Sequence, residues 1–263
     1  MKSFKLVTLG AVLVSSMAFG TVVQAAVEGG TYNSKAEVTF EEDNESTAPV
    51  DPIDPEKPVK PIDPVDPEGP TTGTPGPLSI DFASSLQFGK NKIKTTDQTY
   101  FAKAQEVEEN GKKSFVPLYA QVTDKRSKLT GWNLSVKQEG QFKTITSAQE
   151  LKGAVIKFSG GVVNSAVDPV DSVWPTIKNS DFSLDADGSA TTLLSANDGA
   201  AFGTYLLRFG DKIEAGEEAK YNNVSLDVPG KSVKVADEAY RTKLNWELKN
   251  VPGNGESAET EKE

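Results

Sequence analysis

Short runs of alternating apolar and polar residues dominate the chain from Leu78 onward. Successive side chains of an extended chain point to opposite faces, so these runs predict half-buried β-strands. Stretches rich in Asn, Asp and Gly, among them ENGKKS at 109–114 and SGGVVNS at 159–165, separate the runs and predict turns. Many short strands joined by turns are typical of an antiparallel sandwich or barrel, and we expect an all-β domain. The ten predicted strands lie within LSIDFASSLQFG, QTYFAKAQ, FVPLYAQVT, GWNLSVKQ, AVIKFSG, DFSLDA, TTLLSA, GTYLLRFG, NVSLDVPG and YRTKLNWELKN.

Two of these predicted strands carry the same Trp-x-Leu triplet. LTGWNLSV spans residues 129–136 and TKLNWELKN spans residues 242–250, and together they hold two of the three tryptophans. Within each triplet the tryptophan and the leucine share one face of the strand, and the middle residue points to the other. An indole packs well in a core, and it also stacks on sugar rings and partner side chains. The pattern therefore fits either a packed core or a shallow aromatic groove.

Two segments precede this domain. KAEVTFE at 35–41 alternates and predicts a single N-terminal strand. Residues 48–77 hold ten of the fifteen prolines and include the related units DPIDPE and DPVDPE. Proline lacks an N–H donor and has a fixed φ, so we expect this segment to stay out of the sheets. It predicts a solvated, extended spacer of the polyproline II type.

The two ends of the sequence predict other kinds of segment. Lys2 and Lys5 precede an apolar run and small residues at 23–25, a pattern that predicts an export signal over residues 1–25. The run is too short and too interrupted by glycine for a membrane anchor. The acidic end lacks periodicity and predicts a tail. We therefore divide the chain into 1–25, an N-terminal strand segment at 26–47, the spacer at 48–77, a β-domain at 78–255 and the tail at 256–263.

Composition narrows the classes of function. The formal net charge is −10, which disfavours binding to nucleic acid or to an anionic membrane. The chain has neither cysteine nor histidine, which removes thiol nucleophiles, Cys/His zinc sites and histidine bases. DADG at 185–188 and ANDG at 196–199 lack the spacing of a calcium loop and favour turns. We therefore expect no enzymatic activity, no metal and no cofactor.

The sequence does not decide the structure of three further stretches. TSAQELKG at 146–153 and DKIEAGEEA at 211–219 fit short helices. Trp174 precedes a proline in the loop-like region 162–180, so its backbone is extended. This third tryptophan fits an exposed contact residue and a plug over the core equally well.

An exported chain with KAEVTFEE, an Asp-Pro-rich segment, LTGWNLSV and a closing YRTKLNWELKNVPGN resembles the WxL-domain surface proteins of low-GC Gram-positive bacteria. The resemblance covers nearly the whole mature chain. In that family the first triplet lies inside the domain and the second closes it. Glu247 departs from the commoner Thr or Ser at its position and adds a negative charge to the second motif. The residues that match the motifs or flank them are Trp132, Asn133, Leu134, Tyr240, Thr242, Leu244, Trp246, Glu247 and Leu248.

The resemblance implies a non-enzymatic protein of the cell surface that attaches non-covalently to the cell wall through peptidoglycan. It also implies assembly with a membrane-anchored WxL-interacting protein. The sequence contains no Leu-Pro-x-Thr-Gly sorting motif and no apolar segment near its C-terminal end, so we expect the folded domain to provide retention. Two alternatives remain: an adhesin for host or environmental ligands such as matrix proteins, and a polysaccharide-capturing module.

Overall fold

The computed structural model describes residues 29–66, 68–166, 173–213, 221 and 223–251. The predicted export signal, the predicted tail and most of DKIEAGEEA lie outside these residues. The described residues form antiparallel β-strands and no helix. The strands are β1 (Lys60–Pro61), β2 (Leu78–Ala83), β3 (Gln98–Phe101), β4 (Gln105–Glu109), β5 (Lys112–Val116), β6 (Tyr119–Asp124), β7 (Thr130–Gln138), β8 (Lys143–Thr144), β9 (Val155–Phe158), β10 (Gly161–Asn164), β11 (Thr176–Ile177), β12 (Phe182–Leu184), β13 (Thr191–Asp198), β14 (Gly203–Phe209), β15 (Val224–Val228), β16 (Tyr240–Arg241) and β17 (Leu244–Asn250).

Three four-stranded sheets enclose the main core. Their strand orders are β10-β14-β6-β2, β11-β13-β7-β17 and β12-β9-β15-β3. Each sheet turns its apolar face inward, and Trp132, Tyr205 and Ile156 represent the three sheets in one buried cluster. The all-β, antiparallel fold class is therefore confirmed, and its core depends on alternation within the strands.

All ten segments that were predicted as strands contain at least one strand. Asn110 and Gly111 have positive φ and form the two-residue turn between β4 and β5, as their sequence favours. Two stretches that were predicted as turns contain strand residues: β5 begins at Lys112 within ENGKKS (109–114), and β10 lies at Gly161–Asn164 within SGGVVNS (159–165). The helix considered for TSAQELKG is not formed. Instead Thr144 bonds backbone to backbone with Gln149, and Ala148 has φ of 54° inside the turn.

The strand expected over residues 35–41 is absent from the structure. The chain divides into residues 1–40 and 41–263, and residues 29–40 form no strand. Ala36, Val38 and Phe40 are exposed, so all three apolar positions of the alternating pattern face solvent. Alternation identifies a chain that suits a sheet, but a strand forms only where a second strand supplies hydrogen bonds. The predicted N-terminal strand is therefore a wrong expectation for this structure.

The Asp-Pro-rich segment also differs from the solvated spacer that was expected. Asp51 Oδ1 accepts hydrogen bonds from the N–H groups of Ile53 and Asp54, at 2.7 and 3.2 Å. Asp63 Oδ1 accepts the equivalent bonds from Val65 and Asp66, at 2.7 and 2.8 Å. The repeated unit is thus a repeated turn, in which the aspartate caps the backbone and the following proline supplies the required φ.

This segment covers the outer face of the β10-β14-β6-β2 sheet. The side-chain amide of Gln121 accepts a bond from Val50 N–H at 2.9 Å and donates one to Ala48 O at 3.0 Å. β1 pairs with β4, and Val59 is buried in a second apolar cluster that includes Tyr119. A proline is accommodated in β1 because that strand lies at the sheet edge. Phe82, Tyr119 and Leu206 form an apolar patch on the outer face of the sheet, and this patch explains why the segment packs rather than extends.

A buried carboxylate lies on the same covered face. Asp81 accepts hydrogen bonds from Ser79 Oγ at 2.7 Å, Thr123 Oγ1 at 2.6 Å and Gln121 Nε2 at 3.0 Å. Burial raises the pKa of Asp81 above its usual value, although the three donors partly oppose this effect. The folded protein therefore holds a proton on Asp81 at a pH where the unfolded chain has released it.

We expect this carboxylate to weaken the fold as pH rises. A raised pKa in the folded state contributes stability that is complete below the ordinary pKa of about 4 and is lost as pH passes the raised value. The Asp81→Asn variant carries no charge there and lacks this contribution. The difference in unfolding free energy between the wild type and the variant, measured by urea unfolding from pH 3.5 to 8, should fall above pH 4 and then level. A difference independent of pH would contradict the role assigned to Asp81.

Candidate functional site

The two Trp-x-Leu triplets lie side by side on adjacent strands. β7 and β17 pair antiparallel, with Leu134 opposite Leu248 and Val136 opposite Trp246. β13 flanks β7 on its other side, and β17 forms the edge of the sheet. Triplets more than 100 residues apart in the sequence therefore form one continuous inner surface.

The inner side of this surface is core. Trp132, Leu134 and Val136 are fully buried, and Trp132 is the largest of the fully buried side chains. Within the described residues, the Nε1 atom of Trp132 has no hydrogen-bond partner. Trp246 and Leu248 pack against the same core but are only half-buried, because β17 is the edge strand. Trp132 and Leu134 of the first triplet thus have no surface to offer a ligand in this structure, and Trp246 and Leu248 of the second offer only a part.

The outer side of the same strands is polar. Asn133, the middle residue of the first triplet, lies opposite Lys249, and Ser135 lies opposite Glu247. Glu247 and Lys249 form an ion pair at 2.9 Å. The negative charge of Glu247 therefore lies beside a lysine, and the exposed pair is worth little stability.

Residues at the start of the second motif hold neighbouring loops. The hydroxyl of Tyr240 accepts a hydrogen bond from Val235 N–H at 2.9 Å, and its ring packs against the core. Thr242 Oγ1 donates a bond to Gly140 O at 2.8 Å. Leu244 is half-buried in the core-facing row of β17. Tyr240, Thr242 and Leu244 therefore stabilise the fold and hold two loops in position. They lie two residues apart, as side chains on one face of an extended chain do.

One arginine joins the beginning of β7 to the end of β17. Arg126 Nε and Nη2 donate to the two carboxylate oxygens of Asp124 at 2.9 and 2.7 Å. Its Nη1 donates to Thr130 Oγ1 and Asn250 Oδ1, at 3.0 and 2.8 Å. The side chain of Asp124 is 1% exposed and that of Arg126 is 12% exposed. We call the side chains of Asp124, Arg126, Thr130 and Asn250 the clasp. The sequence did not predict it, because nothing in the local pattern Asp-Lys-Arg indicates a partner more than 120 residues away.

The third tryptophan lies at the margin of the core. Trp174 is half-buried, and its ring meets Tyr205 edge-on with 5.9 Å between ring centroids. It packs against the same core cluster that contains Trp132 and Leu134. Its role as an exposed contact residue stays a prediction.

A shallow trough of about 460 Å³ lies on the β12-β9-β15 sheet. Phe158 and Phe182 stack at its base with ring centroids 4.7 Å apart. At its rim Lys157 Nζ lies 2.6 Å from Asp227 Oδ2, and this bond holds the pKa of Asp227 below its usual range. Phe158 is 3% exposed and both rings also pack against Phe209 in the core, so the surface that a carbohydrate could contact is part of the Phe182 ring beside hydroxyl and charged groups.

The sequence matches the family model of the WxL domain, described as surface cell wall-binding, over residues 27–252. The chain belongs to the WxL family. No curated protein and no solved structure matches it. As a member of the WxL family, the protein acts at the cell surface, where its domain binds the cell wall. The family match includes the Asp-Pro-rich segment, which agrees with the packing of that segment on the β-sheet.

Two observations concern membranes and metals. The part of the chain that the structure describes contains no helix long and apolar enough to span a bilayer. Within the same residues, no three acidic side chains are grouped so that they could hold a metal ion. In DADG, Asp187 Oδ1 accepts a bond from Ser189 N–H at 2.8 Å, which is ordinary turn geometry.

Proposed function

We propose that this WxL protein attaches non-covalently to peptidoglycan through its folded β-domain, performs no catalysis, and assembles with a membrane-anchored WxL-interacting protein. The observation that carries the proposal is the family match, which covers both triplets and all the described sheets. We further propose that the exported, mature chain begins after residue 25. Its functional domain extends beyond the division at residue 78, since residues 48–66 pack on the sheet.

The burial of the triplets supports attachment through the surface rather than through the tryptophans themselves. Trp132 and Leu134 are enclosed by three sheets. The exposed surface of the same domain carries many lysines and carboxylates, and a wall polymer presents free amines and carboxylates. Contacts between such groups are partly electrostatic, and the screening length falls from about 10 Å at 0.1 M salt to about 3 Å at 1 M. Attachment should therefore be reversible by salt.

We expect the purified chain to sediment with peptidoglycan sacculi at 0.05–0.1 M salt and to be released near 1 M. Circular dichroism of the released protein should show an unchanged β-spectrum, which separates detachment from unfolding. The control is an unrelated acidic β-protein of similar net charge, which should stay in the supernatant. If the WxL protein stays in the supernatant at every salt concentration, direct wall binding is wrong and docking to a partner is the better account.

The trough on the β12-β9-β15 sheet favours one second function, the capture of a free polysaccharide. In that case a soluble glycan without peptide should compete with sacculi for the protein, and Lys157→Ala should weaken binding. If neither effect is seen, the trough plays no part in attachment. Adhesion to host matrix proteins remains an alternative with no described feature that favours it.

A further inference from the structure

Three loops converge at one end of the β-domain. We call this surface the loop end and define it as residues 89–97, 145–153 and 229–239. The first and third loops meet where Gly230 N–H donates to Asp97 Oδ1 at 2.7 Å. The second and third meet where Ser147 N–H donates to Glu238 Oε2 at 3.2 Å and Ser232 Oγ donates to Lys152 O. The loop end is therefore a connected surface rather than three separate loops.

Glycine and backbone contacts fix its shape. A Cβ at Gly230 would lie 2.3 Å from Thr95 O, so only glycine allows the first and third loops to approach this closely. Lys234 Nζ donates to the carbonyl oxygens of Pro229 at 3.0 Å and Ser232 at 2.8 Å, which closes the third loop on itself. The Tyr240 hydroxyl accepts Val235 N–H from the same loop. A residue of the second motif thus positions the loop end.

The loop end exposes lysines that have no carboxylate partner among the residues that the structure describes. Four acidic residues lie there, and each contacts a group of the protein: Asp97 with Gly230, Glu150 with Lys143, Asp237 with Lys90 and Glu238 with Ser147. No carboxylate in the described part of the chain lies within ion-pair distance of four exposed lysines, namely Lys92, Lys94, Lys152 and Lys231. The loop end holds six lysines against these four acids, so its formal charge is positive.

The same surface exposes three branched aliphatic side chains. Ile93, Ile145 and Val233 are 53%, 61% and 72% exposed. Ile93 lies between Lys92 and Lys94 in the sequence, Val233 is two residues from Lys231, and Ile145 belongs to the loop that carries Lys152, so each of the three loops brings an exposed aliphatic side chain together with a lysine. A ligand that suits it offers anionic groups next to small apolar ones.

The distribution of charge over the chain agrees with an anionic ligand at this end. Residues 41–68 hold ten acidic side chains against Lys57 and Lys60, whereas residues 69–251 hold 22 acidic and 22 basic ones. The acidity of the domain is thus concentrated in the segment that covers the β10-β14-β6-β2 sheet. The net charge of the whole chain conceals a loop end that is locally cationic.

We propose that the loop end is the wall-binding surface and that its ligand is the carboxylate-bearing peptide of peptidoglycan, an inference that rests on the proposed function. Lys92, Lys94, Lys152 and Lys231 contact the carboxylates, and Ile93, Ile145 and Val233 pack against the alanine methyl groups beside them. A polyol-phosphate polymer would satisfy the lysines but would leave the aliphatic side chains without an apolar partner. The peptide satisfies both.

The test compares three forms of the full chain for binding to sacculi. The first is wild type, and the second carries Lys92→Gln, Lys94→Gln, Lys152→Gln and Lys231→Gln. The matched control carries Lys103→Gln, Lys112→Gln, Lys128→Gln and Lys178→Gln, which are also exposed and have no carboxylate partner among the described residues. All eight side chains are exposed, so both variants should fold with unchanged thermal midpoints. We expect the loop-end variant to bind at least tenfold more weakly and the control to bind as the wild type does.

Two further arms identify the ligand. Sacculi stripped of phosphodiester polymers with hydrofluoric acid should bind the wild type as well as untreated sacculi do. A synthetic alanine-ended stem peptide with a free carboxyl terminus should compete, and the same peptide with an amidated terminus should compete less. Equal binding of the two lysine variants would overturn the assignment of the surface. Loss of binding to stripped sacculi would overturn the assignment of the ligand in favour of a phosphate polymer, whereas failure of the wild type on all sacculi would overturn the proposed function itself.

Discussion

Replacing Trp132 by alanine should lower the free energy of unfolding by about 3–5 kcal/mol, because the change leaves a large cavity in the core between three sheets. The side chain is fully buried, and its neighbours on β7 and β13 belong to strands paired on both sides. The surrounding backbone therefore has little freedom to collapse into the space. Urea unfolding followed by far-UV circular dichroism measures the loss without relying on the tryptophan signal.

Trp246→Ala is the matched control for this prediction. Trp246 occupies the equivalent place in the second triplet, but it is half-buried on an edge strand. The half-buried indole removes less apolar area from contact with water than Trp132 does. We therefore expect the free energy of unfolding to fall by about 1–3 kcal/mol. If Trp132→Ala unfolds like the wild type and yet fails to bind sacculi, the indole is a contact residue and the structural role assigned to the first triplet is wrong.

Replacing Arg126 by methionine should cost about 3–5 kcal/mol of stability, because it leaves the carboxylate of Asp124 buried without its counter-charge. The same change removes the donors to Thr130 and Asn250, which connect β17 to β7. The edge strand that carries the second triplet should loosen first. Amide hydrogen exchange should therefore rise in β17 more than in β13, while urea unfolding gives the total loss.

A neighbouring lysine provides the control for Arg126. Lys125 Nζ pairs with Asp43 at 2.7 Å, but the side chain of Asp43 is 57% exposed. Water therefore solvates Asp43 when the lysine is removed, and Lys125→Met should cost about 1 kcal/mol or less. Adding Asp124→Asn to Arg126→Met should recover part of the stability, since it removes the buried charge. Equal losses for the lysine and arginine variants would show that the clasp is not a buried ion pair.

The Trp-x-Leu triplets have a structural role in the core of the domain. The two motifs are a pair of core-facing rows on neighbouring strands, joined at one end by Arg126 and at the other by Thr242. Their tryptophan and leucine side chains stabilise the domain, and Tyr240 positions a loop of the loop end. The family motif therefore forms part of the core, whereas the proposed wall contact lies at the loop end. Tyr240 of the second motif connects the two, because it bonds a loop of the loop end.

The candidate site could be predicted only in part. The alternation within 129–136 and 242–250 correctly placed tryptophan and leucine on one face, because side-chain direction in a strand depends only on position parity. The alternation did not decide whether that face is part of the core or forms a binding groove, because burial depends on which other elements cover it. The loop end could not be predicted, since its lysines come from three loops, with Lys94 58 residues from Lys152 and Lys152 79 residues from Lys231, and no periodicity connects them. A count of charges by segment gives an indirect signal, because it shows that the excess of acidic residues lies in 41–68 and that residues 69–251 are balanced.

The sequence by itself determined the fold class, the ten strand segments, the turn at Asn110-Gly111 and the membership suggested by the two motifs. All of these depend on local backbone preference and on side-chain alternation, which each segment carries alone. Only the tertiary structure decided that the Asp-Pro units fold as turns over a sheet, that KAEVTFE finds no partner strand, and that Trp132 is enclosed while Trp246 lies at an edge. Those outcomes depend on which apolar surface remains uncovered after the strands have paired, and that is a property of the assembled domain rather than of any segment.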